Sequence, residues 1–106
     1  MIKEIDSLSL KQAMDSGVPI LLLDVREDFE LRLASIDGAV HIPLGQLQSR
    51  VDELEDVKRV VVFCHHGVRS LTGGYILEQA GIEDVASLAG GIDAWSTQVD
   101  VSVARY

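Results

Sequence analysis

Two short apolar runs restrict what this chain can fold into more than any other feature. Ile20-Leu21-Leu22-Leu23 follows Gly17-Val18-Pro19 and breaks off at Asp24; Arg59-Val60-Val61-Val62-Phe63 breaks off at Cys64. Neither run alternates apolar with polar residues, as a strand with one wet face does. Runs of this kind suit strands covered on both faces. Weaker strand patterns lie at Ala39-Val40-His41-Ile42 and Asp84-Val85-Ala86, and residues 2–5 read as an edge strand.

Helical spacing fills the gaps. Residues 8–16 place Leu10, Ala13 and Met14 on one stripe, with Ser7 as the cap. Residues 26–33 read as a short charged helix. Residues 44–54 carry Leu44, Leu47, Val51 and Leu54 at helical spacing. Residues 68–80 form the clearest pattern, with Leu71, Tyr75 and Ile76 as the stripe and Gly81 as the stop. Gly91–Gln98 reads as a last short helix. The tail, 99–106, alternates valines with polar residues and reads as an edge strand or a loosely packed end. Strands alternating with helices through short turns predict a parallel α/β sheet with helices on both faces, and 106 residues suffice for one domain. In such folds ligands bind beyond the carboxyl ends of the strands, where Asp24 and Cys64 fall.

Charge and composition narrow the partners. The net charge of −8 leaves no basic face for nucleic acid, and it does not draw small anions from a distance. An anion site has to be built locally, from backbone amides or one placed arginine. No run of about 18 apolar residues offers a membrane span. The charged start, Met1-Ile2-Lys3-Glu4-Ile5-Asp6, does not read as an export signal. The single cysteine cannot form an internal disulfide, which fits a reducing compartment, and the cytoplasm is the expected location.

Cys64 opens the segment Cys64-His65-His66-Gly67-Val68-Arg69-Ser70 between the most hydrophobic strand and the clearest helix. Successive amides in such a turn can hold an anion, and the helix N-terminus adds partial positive charge. Both favour thiolate over thiol. Gly67 permits a tight turn, and Arg69 could assist if its side chain folds back. A lone cysteine is otherwise a small buried hydrophobe; the strand–loop–helix setting favours the nucleophile. A metal site on Cys64, His65 and His66 is disfavoured, because adjacent ligands rarely reach one tetrahedral ion. Each histidine either shapes the pocket, helps move a proton, or simply faces solvent.

The residues resemble a known family, the single-domain rhodaneses, over nearly the whole chain. Four pieces carry the likeness: Asp24-Val25-Arg26 with Phe29-Glu30; Ile36-Asp37-Gly38-Ala39-Val40-His41-Ile42-Pro43; the loop Cys64 to Arg69; and Leu88-Ala89-Gly90-Gly91-Ile92-Asp93-Ala94-Trp95. The resemblance implies a five-stranded, mainly parallel sheet flanked by helices. It implies a sulfurtransferase in which Cys64 takes a sulfane sulfur from a donor, holds it as a persulfide and passes it to an acceptor. His65, His66, Gly67, Val68 and Arg69 would form the active loop, with no metal and no cofactor. Thiosulfate is the usual test donor and cyanide the usual test acceptor. Two departures stand out. Ala34-Ser35 replaces the usual Gly-His before Ile36. The loop interior also lacks the basic residues of some thiosulfate users, which counts against thiosulfate as the physiological donor.

Phosphatases that share the fold have one more residue between cysteine and arginine. The four here contract the ring of amides, which suits a persulfide sulfur better than a phosphate. A phosphatase also needs a general acid, and Asp24 and Asp37 are the candidates. Asp24 and Arg26 are expected to form an ion pair that orients the loop, against a surface pair of no consequence. Gly90 and Gly91 are expected to make a tight turn, Trp95 to pack in the core or wall the pocket, and His41 to be structural. The acidic run 52–56 reads as a solvated face. With one cysteine, a persulfide cannot be resolved internally. Turnover would need cyanide, an outside thiol, or a thioredoxin-like or other sulfur-accepting protein. Three functions therefore compete: a free sulfurtransferase, a carrier or regulatory module working only on a partner, and a phosphatase or arsenate reductase.

Overall fold

In the computed structural model, residues 2–54 and 56–106 are described. Glu55, in the acidic run, lies outside them. The elements in chain order are β1 (Lys3–Ile5), α1 (Ser7–Asp15), β2 (Leu21–Asp24), α2 (Asp28–Leu33), β3 (Val40–His41), α3 (Leu44–Arg50) with a 3₁₀ turn at Val51–Leu54, β4 (Arg59–Phe63), α4 (Arg69–Gln79), β5 (Asp84–Leu88) and α5 (Gly91–Gln98). The five strands form one sheet in the order β1-β5-β4-β2-β3, and every pairing is parallel.

β4 lies at the centre, which explains its unbroken apolar run. Its side chains alternate between two cores. Val61 and Phe63 join Leu10, Ile92 and Trp95 on the face covered by α1 and α5. Val60 and Val62 join Leu47, Leu54 and Leu77 on the face covered by α3 and α4. Each apolar side chain taken fully out of water contributes about 1.5–3 kcal/mol before entropy is counted. Short parallel strands with both faces buried are stabilised chiefly by this packing.

Several local expectations are corrected. Asp6, not Ser7, caps α1: its carboxylate accepts from Ser9 N at 2.7 Å. Ser7 is fully buried instead. The charged segment at 26–33 is helical only from Asp28, because Arg26 lies in the bend after β2 and is drawn inward. Of the expected stripe on α4, Leu71, Tyr75 and Ile76, only Ile76 packs against the core, half-buried. Leu71 and Tyr75 are exposed, and the packed face is Ser70, Gly73, Gly74 and Leu77. The helical period is right but the side chains on it are small. A Cβ on Gly73 would stand 3.2 Å from Val62 Cγ1, so the bare backbone lets α4 settle onto β4. Gly81 follows the end of α4 with φ +97°, the stop expected there. The tail forms no strand and folds back across the molecule, with Val103 and Tyr106 packed against the α1/α5 core.

Candidate active site

Cys64 continues the alternation of β4 by one residue, so its side chain turns to the α4 side and is 1% exposed. Two amides meet its sulfur: Gly67 N–H donates to Sγ at 3.2 Å and Ser70 N–H at 3.4 Å. The second belongs to the first turn of α4, so the positive end of that helix is aimed at the sulfur. Ser70 Oγ lies 3.5 Å from Sγ and 2.7 Å from Ser87 Oγ on β5, and both serines are fully buried.

The loop is held from behind by α5. Ile92 N–H donates to the Cys64 carbonyl at 2.9 Å, and Asp93 N–H to the His65 carbonyl at 3.2 Å. This approach explains the double glycine. Gly91 has φ +61°, and a Cβ there would lie 2.4 Å from both of those carbonyl oxygens. Only a residue without a Cβ fits. Gly67, at φ +98°, also packs closely on the turn after β5, with its Cβ position 3.1 Å from Gly90 N.

Arg69 does not fold back onto the sulfur. Its guanidinium grips Glu30 at the start of α2, Nη1 to Oε2 at 2.6 Å and Nη2 to Oε1 at 2.8 Å. Glu30 also accepts from Glu27 N–H and from the Tyr106 hydroxyl, so each carboxylate oxygen has two donors. These bonds, Arg69 foremost, hold its carboxyl at about 2 against the burial that opposes them. Tyr106 links this pair to the next, because its hydroxyl accepts from Arg26 Nη1 at 3.0 Å. Arg26 binds Asp24 through Nε (2.9 Å) and Nη2 (2.7 Å), and donates to the carbonyls of Glu30 and Ala34. The Asp24–Arg26 pair is thus buried beneath the site, not a surface pair. Asp24 is occupied by Arg26 and is not placed to serve as a general acid. His41 holds the segment by Nε2, 2.6 Å from the Arg26 carbonyl, in keeping with a structural role.

His65 stacks between His66 and Tyr106, with ring centroids 3.8 Å away on each side. Burial, and then the neighbouring His66, lower its basicity, so the neutral ring is favoured. His66 points outward, and its Nδ1 lies 4.0 Å from Asp93. Val68 is the exposed tip of the loop. Trp95 packs in the α1/α5 core, and Asp37 is exposed beside a groove of about 530 Å³ that the loop does not line. Ser87 and Tyr106 were not legible as site residues. Ser87 had a signal, a serine between apolar neighbours near the end of β5; Tyr106 had none, because its partners are brought to it only by the fold.

A parallel α/β sheet with a lone thiol under a helix N-terminus, in a loop closed by four residues and an arginine, defines a class of proteins that do thiol chemistry at a strand end. Comparison with known proteins gives the family. The family model described as a rhodanese-like domain matches residues 7–98, and the chain belongs to that family. A sulfurtransferase of Allochromatium vinosum is 35% identical over 96 residues, covering 91% of this chain and 90% of the relative. A Bacillus subtilis protein provisionally named as a sulfur carrier, YrkF, is 34% identical over 99 residues, 93% of this chain. The chain spans 54%, about half, of YrkF's length. Among solved structures, a rhodanese-related protein of Thermoplasma volcanium superposes with a TM-score of 0.81 at 32% identity, covering 92% of this chain and 93% of that one. Named relatives of this kind place the chain in the sulfurtransferase class. Among the described residues, no helix is long and apolar enough to cross a membrane.

Proposed function

We propose that residues 1–106 act as one domain, a cytoplasmic sulfurtransferase that carries a sulfane sulfur as a persulfide on Cys64. The observation that carries this reading is the pair of amides, Gly67 N–H and Ser70 N–H, converging on Sγ at the mouth of a helix. The Cys64 thiolate attacks the outer sulfur of a donor. The donor's S–S bond breaks, the donor departs with the bonding pair as an anion, and a new S–S bond forms on Cys64. An acceptor then attacks the outer sulfur and Cys64 leaves as thiolate. The active loop His65, His66, Gly67, Val68 and Arg69 surrounds the negative sulfur, which the Gly67 and Ser70 amides hold, while Asp24 and Arg26 support the loop from below.

The donor class follows from the charges. Thiosulfate brings a sulfonate that needs a cation, and Arg69 is already gripped by Glu30. A small persulfide suits the site better. The acceptor is cyanide, an outside thiol, or a thioredoxin-like or other sulfur-accepting protein. One observation favours the carrier reading. Val68, 74% exposed, adjoins Arg69, and Phe29, 59% exposed, adjoins Glu30, so apolar side chains flank the ion pair at the rim where a protein would dock. The name of YrkF points the same way.

The test is transfer to cyanide with thiosulfate or a small persulfide as donor. The reading predicts a higher kcat/KM with the persulfide and no transfer by Cys64→Ser. Transfer seen only when a sulfur-accepting protein is added selects the carrier; phosphate release from an aryl phosphate through Cys64 overturns both.

A further inference from the structure

Counting hydrogens around the cysteine sulfur exposes a role for a residue that never touches it. Sγ, Ser70 Oγ and Ser87 Oγ form a line, with separations of 3.5 and 2.7 Å. The line contains two contacts. With a thiol at its end it contains three hydrogens, one more than the contacts can use. With a thiolate it contains two, one for each: Ser87 O–H donates to Ser70 Oγ, and Ser70 O–H donates to Sγ. No other side-chain hydrogen bond of Ser87 is found among the described residues, and both hydroxyls are fully shielded from water. With a thiol the surplus hydrogen falls either on a hydroxyl, which is costly to bury without an acceptor, or on the weak S–H donor; a thiolate, the stronger acceptor, takes both contacts with no hydrogen left over.

We propose that Ser87 is a positioning residue for the nucleophile: by donating to Ser70 Oγ, it turns the Ser70 hydroxyl hydrogen toward the Cys64 sulfur. No proton passes along the line. Ionisation sends the thiol proton to water, and the two hydroxyls then both point toward Sγ. When the thiolate is consumed in forming a persulfide, the inner sulfur inherits the Ser70 contact as a weaker acceptor, and the line can relax. β5 thus contributes to a site that otherwise draws on β4, its loop and α4. The inference rests on Cys64 as the reacting thiolate, but the test reads thiol reactivity and not sulfur transfer, so the two can fail separately.

The charged and titratable groups around the cysteine loop are Arg69 of α4, Glu30 of α2, Asp93 of α5, His65 and His66 of the loop, and Tyr106 of the tail. Serine substitutions leave all of them in place. The experiment measures the rate at which iodoacetamide alkylates the single cysteine of the full chain as pH is varied. It compares the wild type with Ser87→Ala, Ser70→Ala and the double variant. Each change deletes one oxygen. Ser87→Ala is expected to raise the pH of half-maximal rate by about half a unit to one unit, the worth of one buried hydrogen bond. In the Ser70→Ala background the same change is expected to add nothing, because Ser87 then has no hydroxyl to orient. An unmoved profile in Ser87→Ala overturns the proposal. So does an equal shift with and without Ser70, which would mean that Ser87 acts by packing alone.

Discussion

Arg26 is the largest side chain in the fully buried set, and each of its five N–H groups has an acceptor: two on Asp24, two on backbone carbonyls and one on Tyr106. A charge with no exposed surface persists only when it is paired and saturated in this way. Arg26→Ala should therefore strand the Asp24 carboxylate and cost about 3–5 kcal/mol in denaturant unfolding. Lys11→Ala, which breaks the exposed Lys11–Asp15 pair, should change stability by no more than about 0.5 kcal/mol. The pairing of Asp24 with Arg26 was legible because the two lie beside each other at a strand end. Its depth was not, since that depends on the Ala34 carbonyl and on Tyr106, which is 80 positions from Arg26. Arg69 shows the same limit. Its place in the loop was legible, whereas its direction was set by a four-donor carboxylate on another helix.

Among the elements, α4 and α5 do the positioning, and each depends on a glycine-bearing surface. On α4 the residues at helical spacing are Ser70, Gly73, Gly74 and Leu77. A search for large apolar side chains instead picks out Leu71 and Tyr75, which face solvent. Small residues bring a helix close to a sheet without looking hydrophobic, which is why the element was legible and its face was not. On α5 the double glycine was legible as a tight turn, but its reason is the clasp on the Cys64 and His65 carbonyls. Gly91→Ala should force that clasp open. Its φ of +61° and the 2.4 Å approach together predict a loss of about 2–4 kcal/mol and faster, less pH-selective alkylation of Cys64. Gly45→Ala in α3 has open space and no positive φ, and it should be neutral or stabilise by up to about 1 kcal/mol. Thermal melts of the two variants side by side check the contrast.

At the scale of the whole molecule, the fold class was legible because both apolar runs are too short for helices and too uniform for strands with a wet face. The tail was not, because its contacts are long-range: Arg105 pairs with Asp93 and Tyr106 with Glu30 and Arg26. Tyr106 connects the buried Asp24–Arg26 pair and the partly exposed Glu30–Arg69 pair into one network under the site, with consequences in acid. Glu30 titrates at about 2 in the folded chain, well below its ordinary value of 4.5. A depressed carboxyl stabilises the fold above the unfolded-state pKa and loses that contribution as pH falls through the folded one. Wild type should exceed Glu30→Gln by about 1–3 kcal/mol at neutral pH, after allowing for the partial exposure of Arg69. The gap should close between about pH 4.5 and 2. Urea unfolding of the two proteins across that range tests the sign as well as the size.

The central claim is that Cys64 holds the sulfur. Intact-mass measurement after exposure to a small persulfide, followed by cyanide, addresses it most directly. The account predicts that wild type gains the mass of one sulfur atom, that cyanide removes it, and that Cys64→Ser gains nothing. A sulfur adduct that persists in Cys64→Ser, or wild-type protein that never takes up sulfur from any donor, would contradict it.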